Sequence, residues 1–189
     1  LQNVSTHCYL LESAQANEAW GRYTFLGYDP KLEINCIDGH MKLGKLSVET
    51  ENPSEYIRQI LSEYKSPKFD YLPSFTGGLV GYFSYDYLGY KEKSIRGKAR
   101  DTEDFKDVDL MLFDKVIAFD NLCQKIILIA NMSLDAPETG YNKAIVELKQ
   151  LRELLRHGEK KQNMGGKLLG EVTPLFEKEQ YCEMVEKAK

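Results

Sequence analysis

The chain has 189 residues, 42% of them hydrophobic and 29% charged, ordinary globular proportions in a length that fits one core with trimmings at about 150 residues per domain. No segment approaches the roughly 18 uninterrupted apolar residues of a transmembrane helix, so a membrane span is excluded. Lys and Arg number 25 against 29 for Asp and Glu, a formal net charge of -4, and with no basic excess to neutralise phosphates nucleic acid is not expected as a partner.

The opening Leu1-Gln2-Asn3-Val4-Ser5 has neither an initiator Met nor a basic segment leading into an apolar run, and it reads as a trimmed start with no secretory signal. Residues 4–11, 22–27 and 31–37 read as strands, the third with Leu32, Ile34 and Cys36 alternating onto one face. Asp38-Gly39 tolerates the positive φ of a tight turn, so Met41, Leu43, Leu46 and Val48 continue the β pattern as a hairpin. Asn52-Pro53-Ser54-Glu55 sets out a cap, a first-turn Pro and an acid, and the apolar Tyr56, Ile57, Ile60, Leu61 and Tyr64 that follow have helical spacing.

Residues 65–76, with Pro67 and Pro73, have no period and read as a surface loop, and Leu79 to Tyr87 reads as a strand. Residues 91–107 are dominated by charge, with almost nothing to bury, and a mobile loop is expected. Leu110 to Asp120 and Lys125 to Asn131 are rich in Val, Ile, Leu and Phe and read as a hairpin turning at Asp120-Asn121. Asp135 is expected to cap a helix with the stripe Tyr141, Ala144, Ile145, Leu148, Leu151 and Leu155, ending at Gly158. Residues 158–170 have the composition of a flexible linker. Tyr181, Met184, Val185 and Ala188 then form one apolar helix face. The pattern gives an α+β chain of mostly antiparallel sheet: an N-terminal domain over 1–157, a linker over 158–170, and over 171–189 the start of a helix leading into a further domain.

Cys8, Cys36, Cys123 and Cys182 form no CxxC pair, which argues against a zinc site or a disulfide framework and points to buried thiols in a reducing cytoplasm. His7, His40 and His157 have no metal-ligand spacing and read as ordinary imidazoles. Leu10-Leu11-Glu12-Ser13 ends a strand in an acid and a hydroxyl, and Arg22 begins the next. If these strands pair, Glu12, Ser13 and Arg22 line one polar pocket suited to an ammonium-and-carboxylate ligand; a surface ion pair would use the same residues. Gly77-Gly78-x-x-Gly81 runs into aromatic β sequence rather than opening a helix, so it reads as close backbone approach or a bulge rather than a phosphate cradle. Asp86 has no partner at identifiable spacing and reads as a solvated or hydrogen-bonded acid, so no nucleophile-base pair emerges.

Three segments taken in order, Leu10-Leu11-Glu12-Ser13, Trp20-Gly21-Arg22-Tyr23-Thr24-Phe25-Leu26-Gly27, and Gly77-Gly78-Leu79-Val80-Gly81-Tyr82, resemble the N-terminal domain of anthranilate synthase component I. The hairpin over 107–131 and the helix over 176–189 are similar to the same family, so the resemblance covers nearly the whole chain. It implies a parent enzyme, a lyase of tryptophan biosynthesis. The parent would convert chorismate and ammonia, supplied by a glutamine amidotransferase subunit, to anthranilate and pyruvate with Mg2+. Chemistry and magnesium are implied in a C-terminal domain of about 250–300 residues beyond this chain, so no catalytic residue is carried over. The feedback site is: Glu12, Ser13 and Arg22 are implied to contact tryptophan, with Leu11 and Tyr23 as apolar wall. Some relatives have Lys where this chain has Arg22. The aminodeoxychorismate synthase component is similar in this region, and a free-standing amino-acid-binding module is the alternative from another class.

Overall fold

The computed structural model describes residues 1–13, 21–95, 103–160 and 165–189. It divides into two compact units, Leu1–Glu159 and Lys160–Lys189. The first holds β1 (Cys8–Leu11), β2 (Tyr23–Tyr28), β3 (Leu32–Ile37), β4 (His40–Leu43), β5 (Leu46–Glu49), α1 (Pro53–Glu63), β6 (Gly78–Phe83), a 3-10 helix (Tyr85–Tyr90), β7 (Val108–Phe113), β8 (Lys115–Asp120), β9 (Lys125–Ala130) and α2 (Pro137–His157). The second holds α3 (Lys178–Ala188). The chain is thus α+β, and the strands of the described residues form two antiparallel sheets, ordered β1-β2-β8-β9 and β5-β4-β3-β7-β6.

Alternation explains the larger sheet. Ile34 stands opposite Leu110, and Cys36 opposite both Val108 and Met41, so these apolar side chains project from one face. That face meets Ile57 and Ile60 of α1, and together they form a buried core cluster. Burying each isoleucine contributes about 2 kcal/mol. At the hairpin turn Asp38 takes φ 48° and Gly39 φ 84°, as a tight reversal demands. The Tyr90 hydroxyl accepts the Gly39 N–H at 2.7 Å and donates to Asp107 at 2.6 Å, and Asp107 also accepts the Asp38 N–H. This ties the 3-10 helix to the turn.

The smaller sheet is centred on β8, whose Val116, Ile117 and Ala118 are all buried although they face alternate sides. Such a run needs cover on both faces. One face receives α2, which packs along β9 and buries Ala144 and Leu151. Across the other lie aromatic rings, with Phe75 5.6 Å from Phe25 and Phe113 4.7 Å from Tyr9.

Several boundaries differ from the sequence expectations. The apolar run Leu110–Asp120 is two strands in different sheets, broken at Asp114. The Asp114 carbonyl accepts both the N–H and the side-chain amide of Asn131, whose amide also donates to Thr76 O at 2.7 Å. The chain changes sheets where those bonds bind it. Residues 4–7 precede β1 instead of forming part of it, and the hairpin beyond Asp38-Gly39 is followed by a second reversal at Gly44, φ 59°, between β4 and β5. The strand expected to Tyr87 stops at Phe83 and becomes the 3-10 helix that carries exposed Asp86.

The capping expectations also change. Asn52 is the N-cap of α1 by position, but its side-chain oxygen accepts the Ser54 hydroxyl rather than a backbone N–H. Asp135 accepts the Ser133 hydroxyl at 2.6 Å and leaves Ala136 as the N-cap of α2, with Pro137 in the first turn. Gly158 does stand at the C-cap, where an added Cβ would lie 2.4 Å from Leu154 O. Tyr141 and Leu155 of the expected stripe are exposed. The expectation of buried thiols holds for Cys36 alone, since Cys8 is half-buried and Cys123 and Cys182 are exposed. The middle of the charged 91–107 segment, residues 96–102, lies outside the described residues, as does 161–164 of the linker.

Candidate functional site

The pairing on which the polar-pocket reading depended is present. β1 runs antiparallel to β2 with Leu11 opposite Phe25 and Tyr9 opposite Gly27. The strand end Leu11 and the following Glu12 and Ser13 therefore lie at the end of the sheet where β2 begins. Leu11, Glu12 and Ser13 are exposed, and Arg22 and Tyr23 are half-buried. Trp20 and the rest of 14–20, which join the two strands, lie outside the described residues.

Partner residues in an antiparallel pair share a face, as do residues two apart. Leu11, Phe25 and Tyr23 therefore stand on one side of the sheet, with the Tyr23 and Phe25 rings 5.8 Å apart. Asp120 of β8 pairs with Tyr23 and stands on the same side. The result is an apolar wall with an ionic group at its end. At the far end of the wall the Tyr9 ring covers Gly27, where an added Cβ would fall 2.3 Å from it. Burial pushes the Tyr9 phenol well above its ordinary range, and its hydroxyl has no hydrogen-bond partner among the described residues.

Arg22 is committed in a way that spacing did not reveal. Its Nε donates to Asp120 Oδ1 at 3.1 Å and its Nη2 to Oδ2 at 2.8 Å, a two-pronged pair. The carboxylate is fully buried, whereas the Arg22 side chain is 36% exposed. The Cys123 N–H adds a third bond to Oδ1 at 3.0 Å. These bonds, the guanidinium first, hold the Asp120 carboxyl well below the usual carboxylate range, and in return raise Arg22. Arg22 Cζ also sits 4.9 Å from the Tyr23 ring centroid, within cation–π reach.

Asp120, Phe25 and Phe75 were not picked out from the sequence. Asp120 read there as a polar turn residue, and nothing local links it to an arginine 98 positions earlier. Elsewhere, Gly77-Gly78-x-x-Gly81 enters and runs along β6 rather than opening a helix. An added Cβ on Gly81 would come within 1.9 Å of Asp109 O, so the glycine serves close strand approach. The histidines meet carboxylates, His7 with Glu33 at 3.2 Å, His40 with Glu49 at 3.4 Å and His157 with Glu153 at 3.6 Å. Among the described residues no group of three or more His, Cys, Asp or Glu side chains is placed to hold a metal ion, so no residue is assigned to magnesium.

The sequence model of the chorismate binding enzymes matches residues 6–189. This chain belongs to that family. Within it, the chain is 36% identical over 156 residues to anthranilate synthase component 1 of Pseudomonas aeruginosa, covering 78% of the chain and 31% of that protein. It is 30% identical over 203 residues to anthranilate synthase component 1 of Acetivibrio thermocellus, covering 98% of the chain and 40% of that protein. The crystal structure of anthranilate synthase component I from Streptococcus pneumoniae superposes with a TM-score of 0.66 at 24% identity, over 93% of this chain and 39% of that one. That likeness establishes the fold. The chorismate-family chain thus spans between 31% and 40% of the length of these relatives. None of its described helices is long and apolar enough to cross a membrane.

Proposed function

We propose that this chain is the tryptophan-sensing part of an anthranilate synthase component I. The observation that carries the reading is the β1–β2 pairing, which brings Leu11, Glu12 and Ser13 to the end of the sheet where Arg22 and Tyr23 stand. The match to the chorismate binding enzymes and the names of the relatives support a parent that uses chorismate. In that parent, chorismate and ammonia from a glutamine amidotransferase subunit give anthranilate and pyruvate, with Mg2+ and the catalytic groups in sequence that this chain does not include. The setting is the cytoplasm.

The residues here have a binding task. Tryptophan presents an ammonium, a carboxylate and an indole. Glu12 suits the first, Arg22 and the Ser13 hydroxyl suit the second, and Leu11, Tyr23 and Phe25 form an apolar surface for the third. Holding the ligand against a partner domain in one arrangement but not another would lower turnover, because a ligand shifts only an equilibrium whose two states it binds unequally.

The test is Ser13→Leu in a polypeptide of the relatives' length, with anthranilate formation followed by its fluorescence. A bulky apolar side chain fills the pocket and removes a hydrogen bond, costs of about 1–3 kcal/mol each. The tryptophan concentration for half-inhibition should rise at least about tenfold, with uninhibited turnover little changed. Unchanged inhibition in the folded variant removes Ser13 from the site.

A further inference from the structure

Arg22 lies between two groups that restrict it. Asp120 takes its Nε and Nη2 in a fork at 3.1 and 2.8 Å, and the Tyr23 ring lies 4.9 Å from Cζ. Asp120 is itself fixed from behind. Its side chain is fully buried, the Cys123 N–H holds Oδ1 at 3.0 Å, and its backbone is locked in the β2–β8 ladder opposite Tyr23. The guanidinium is therefore set by an anchored carboxylate, while its remaining nitrogen, Nη1, has no hydrogen bond among the described residues and the side chain keeps an exposed edge.

We infer that Asp120 is the positioning residue of the ligand site, holding Arg22 so that it offers a ligand one edge of a guanidinium whose charge Asp120 balances. This rests on the reading of that site as one for tryptophan, and extends it to a residue on another strand. Arg22 in this arrangement cannot clasp a carboxylate with two parallel N–H bonds through Nε and Nη2, because that fork is occupied. What remains for a ligand is the Nη1 end, since the second N–H of Nη2 lies toward Cys123 Sγ at 3.7 Å. A surface ion pair that served only to fasten β2 to β8 would need neither a fully buried carboxylate nor a ring beside the guanidinium.

An amide at position 120 offers one acceptor and turns two donors toward a guanidinium that can only donate. Arg22 would then leave its fork and lose its aim. In a polypeptide of the relatives' length, Asp120→Asn should raise the tryptophan concentration for half-inhibition about tenfold, with uninhibited kcat and the KM for chorismate within about twofold. Arg22→Lys, which keeps the charge but lacks the fork, should do the same. The double variant should be no worse than the weaker binder of the two, since both substitutions break one unit.

A fastening role alone would lower the melting temperature of Asp120→Asn without moving inhibition. If Arg22→Lys weakens inhibition and folded Asp120→Asn does not, positioning by Asp120 is wrong while the tryptophan reading stands. If neither variant moves inhibition, the assignment of Arg22 to the tryptophan site falls and Asp120 with it. Should Asp120→Asn yield no folded protein, Asp120→Glu carries the same test, because it keeps the charge and displaces the fork by one methylene. Failure of both to fold assigns the pair to folding and overturns the proposal.

Discussion

Asp120 and Arg22 show how one residue pair makes an acid-sensitive joint. A carboxylate with no solvent exposure, held by a guanidinium and a backbone N–H, binds protons more weakly than it would in the unfolded chain, whose ordinary value is 3.8. The folded value is depressed, so the pair's contribution is fully present above the unfolded value and is lost as pH falls below it toward the folded one. Between about pH 5 and pH 2 the protein should therefore lose stability partly through this group. In Asp120→Asn the loss over that interval should be smaller, although the variant starts from a lower stability at neutral pH. Denaturant midpoints measured at steps across the interval decide it, and parallel curves for the two proteins would show that Asp120 does not titrate as its surroundings imply.

At the scale of elements, the feature that governs the larger sheet is how closely β6 and β7 approach. Gly81 stands opposite Leu110 with φ 151°, a region L side chains rarely adopt, and an added Cβ would meet Asp109 O at 1.9 Å. Gly81→Ala must therefore either strain the backbone or spread the strands, at a cost of about 3 kcal/mol or more. A fall in the denaturant midpoint of that size is expected, and an alanine variant within about 0.5 kcal/mol of the parent would show that the ladder relaxes freely. The same scale explains why the run from Leu110 to Asp120 misled a reading by pattern. Asp114-Lys115 is a short charged interruption in an otherwise apolar stretch, and a strand can carry charged residues where a face reaches solvent. Only the bonds from Asn131 to Asp114 O and Thr76 O turn it into a crossing between sheets.

In the molecule as a whole, the described residues leave the proposed site exposed. Leu11, Glu12 and Ser13 are exposed, and Leu11 keeps 46% of its surface, so a ligand resting there would meet the described residues on one side. Loss of two neutral hydrogen bonds and part of the indole burial costs on the order of 3 kcal/mol, or over a hundredfold in affinity. Calorimetry should find tryptophan bound to this chain at least about a hundredfold more weakly than to a polypeptide of the relatives' length. Equal affinities would place the whole pocket within these residues and remove the basis for coupling it to turnover. The purified chain should also form no anthranilate from chorismate, ammonia and magnesium, and activity that tracks the purified protein would overturn that expectation.

What the sequence determined by itself was local. Alternation at Leu32, Ile34 and Cys36 set one face of β3, Asp38-Gly39 set a turn, Pro53 with the spacing of Ile57 and Ile60 set α1, and the order of motifs around Glu12, Arg22 and Gly81 pointed to the chorismate-utilising family. The first three depend on residues close together in the chain, where periodicity and backbone preference act directly, whereas the motif order is read across residues 10–82. The tertiary structure alone decided which strands share a sheet, that Asp135 bonds Ser133 rather than capping α2, and that Arg22 pairs with Asp120. Cross-strand partners nearly a hundred residues apart leave no local periodicity, and a buried acid at a strand end has the same letters as a solvated acid in a turn. Only packing, which removes water from Asp120 and leaves Arg22 as its counter-charge, separates the two.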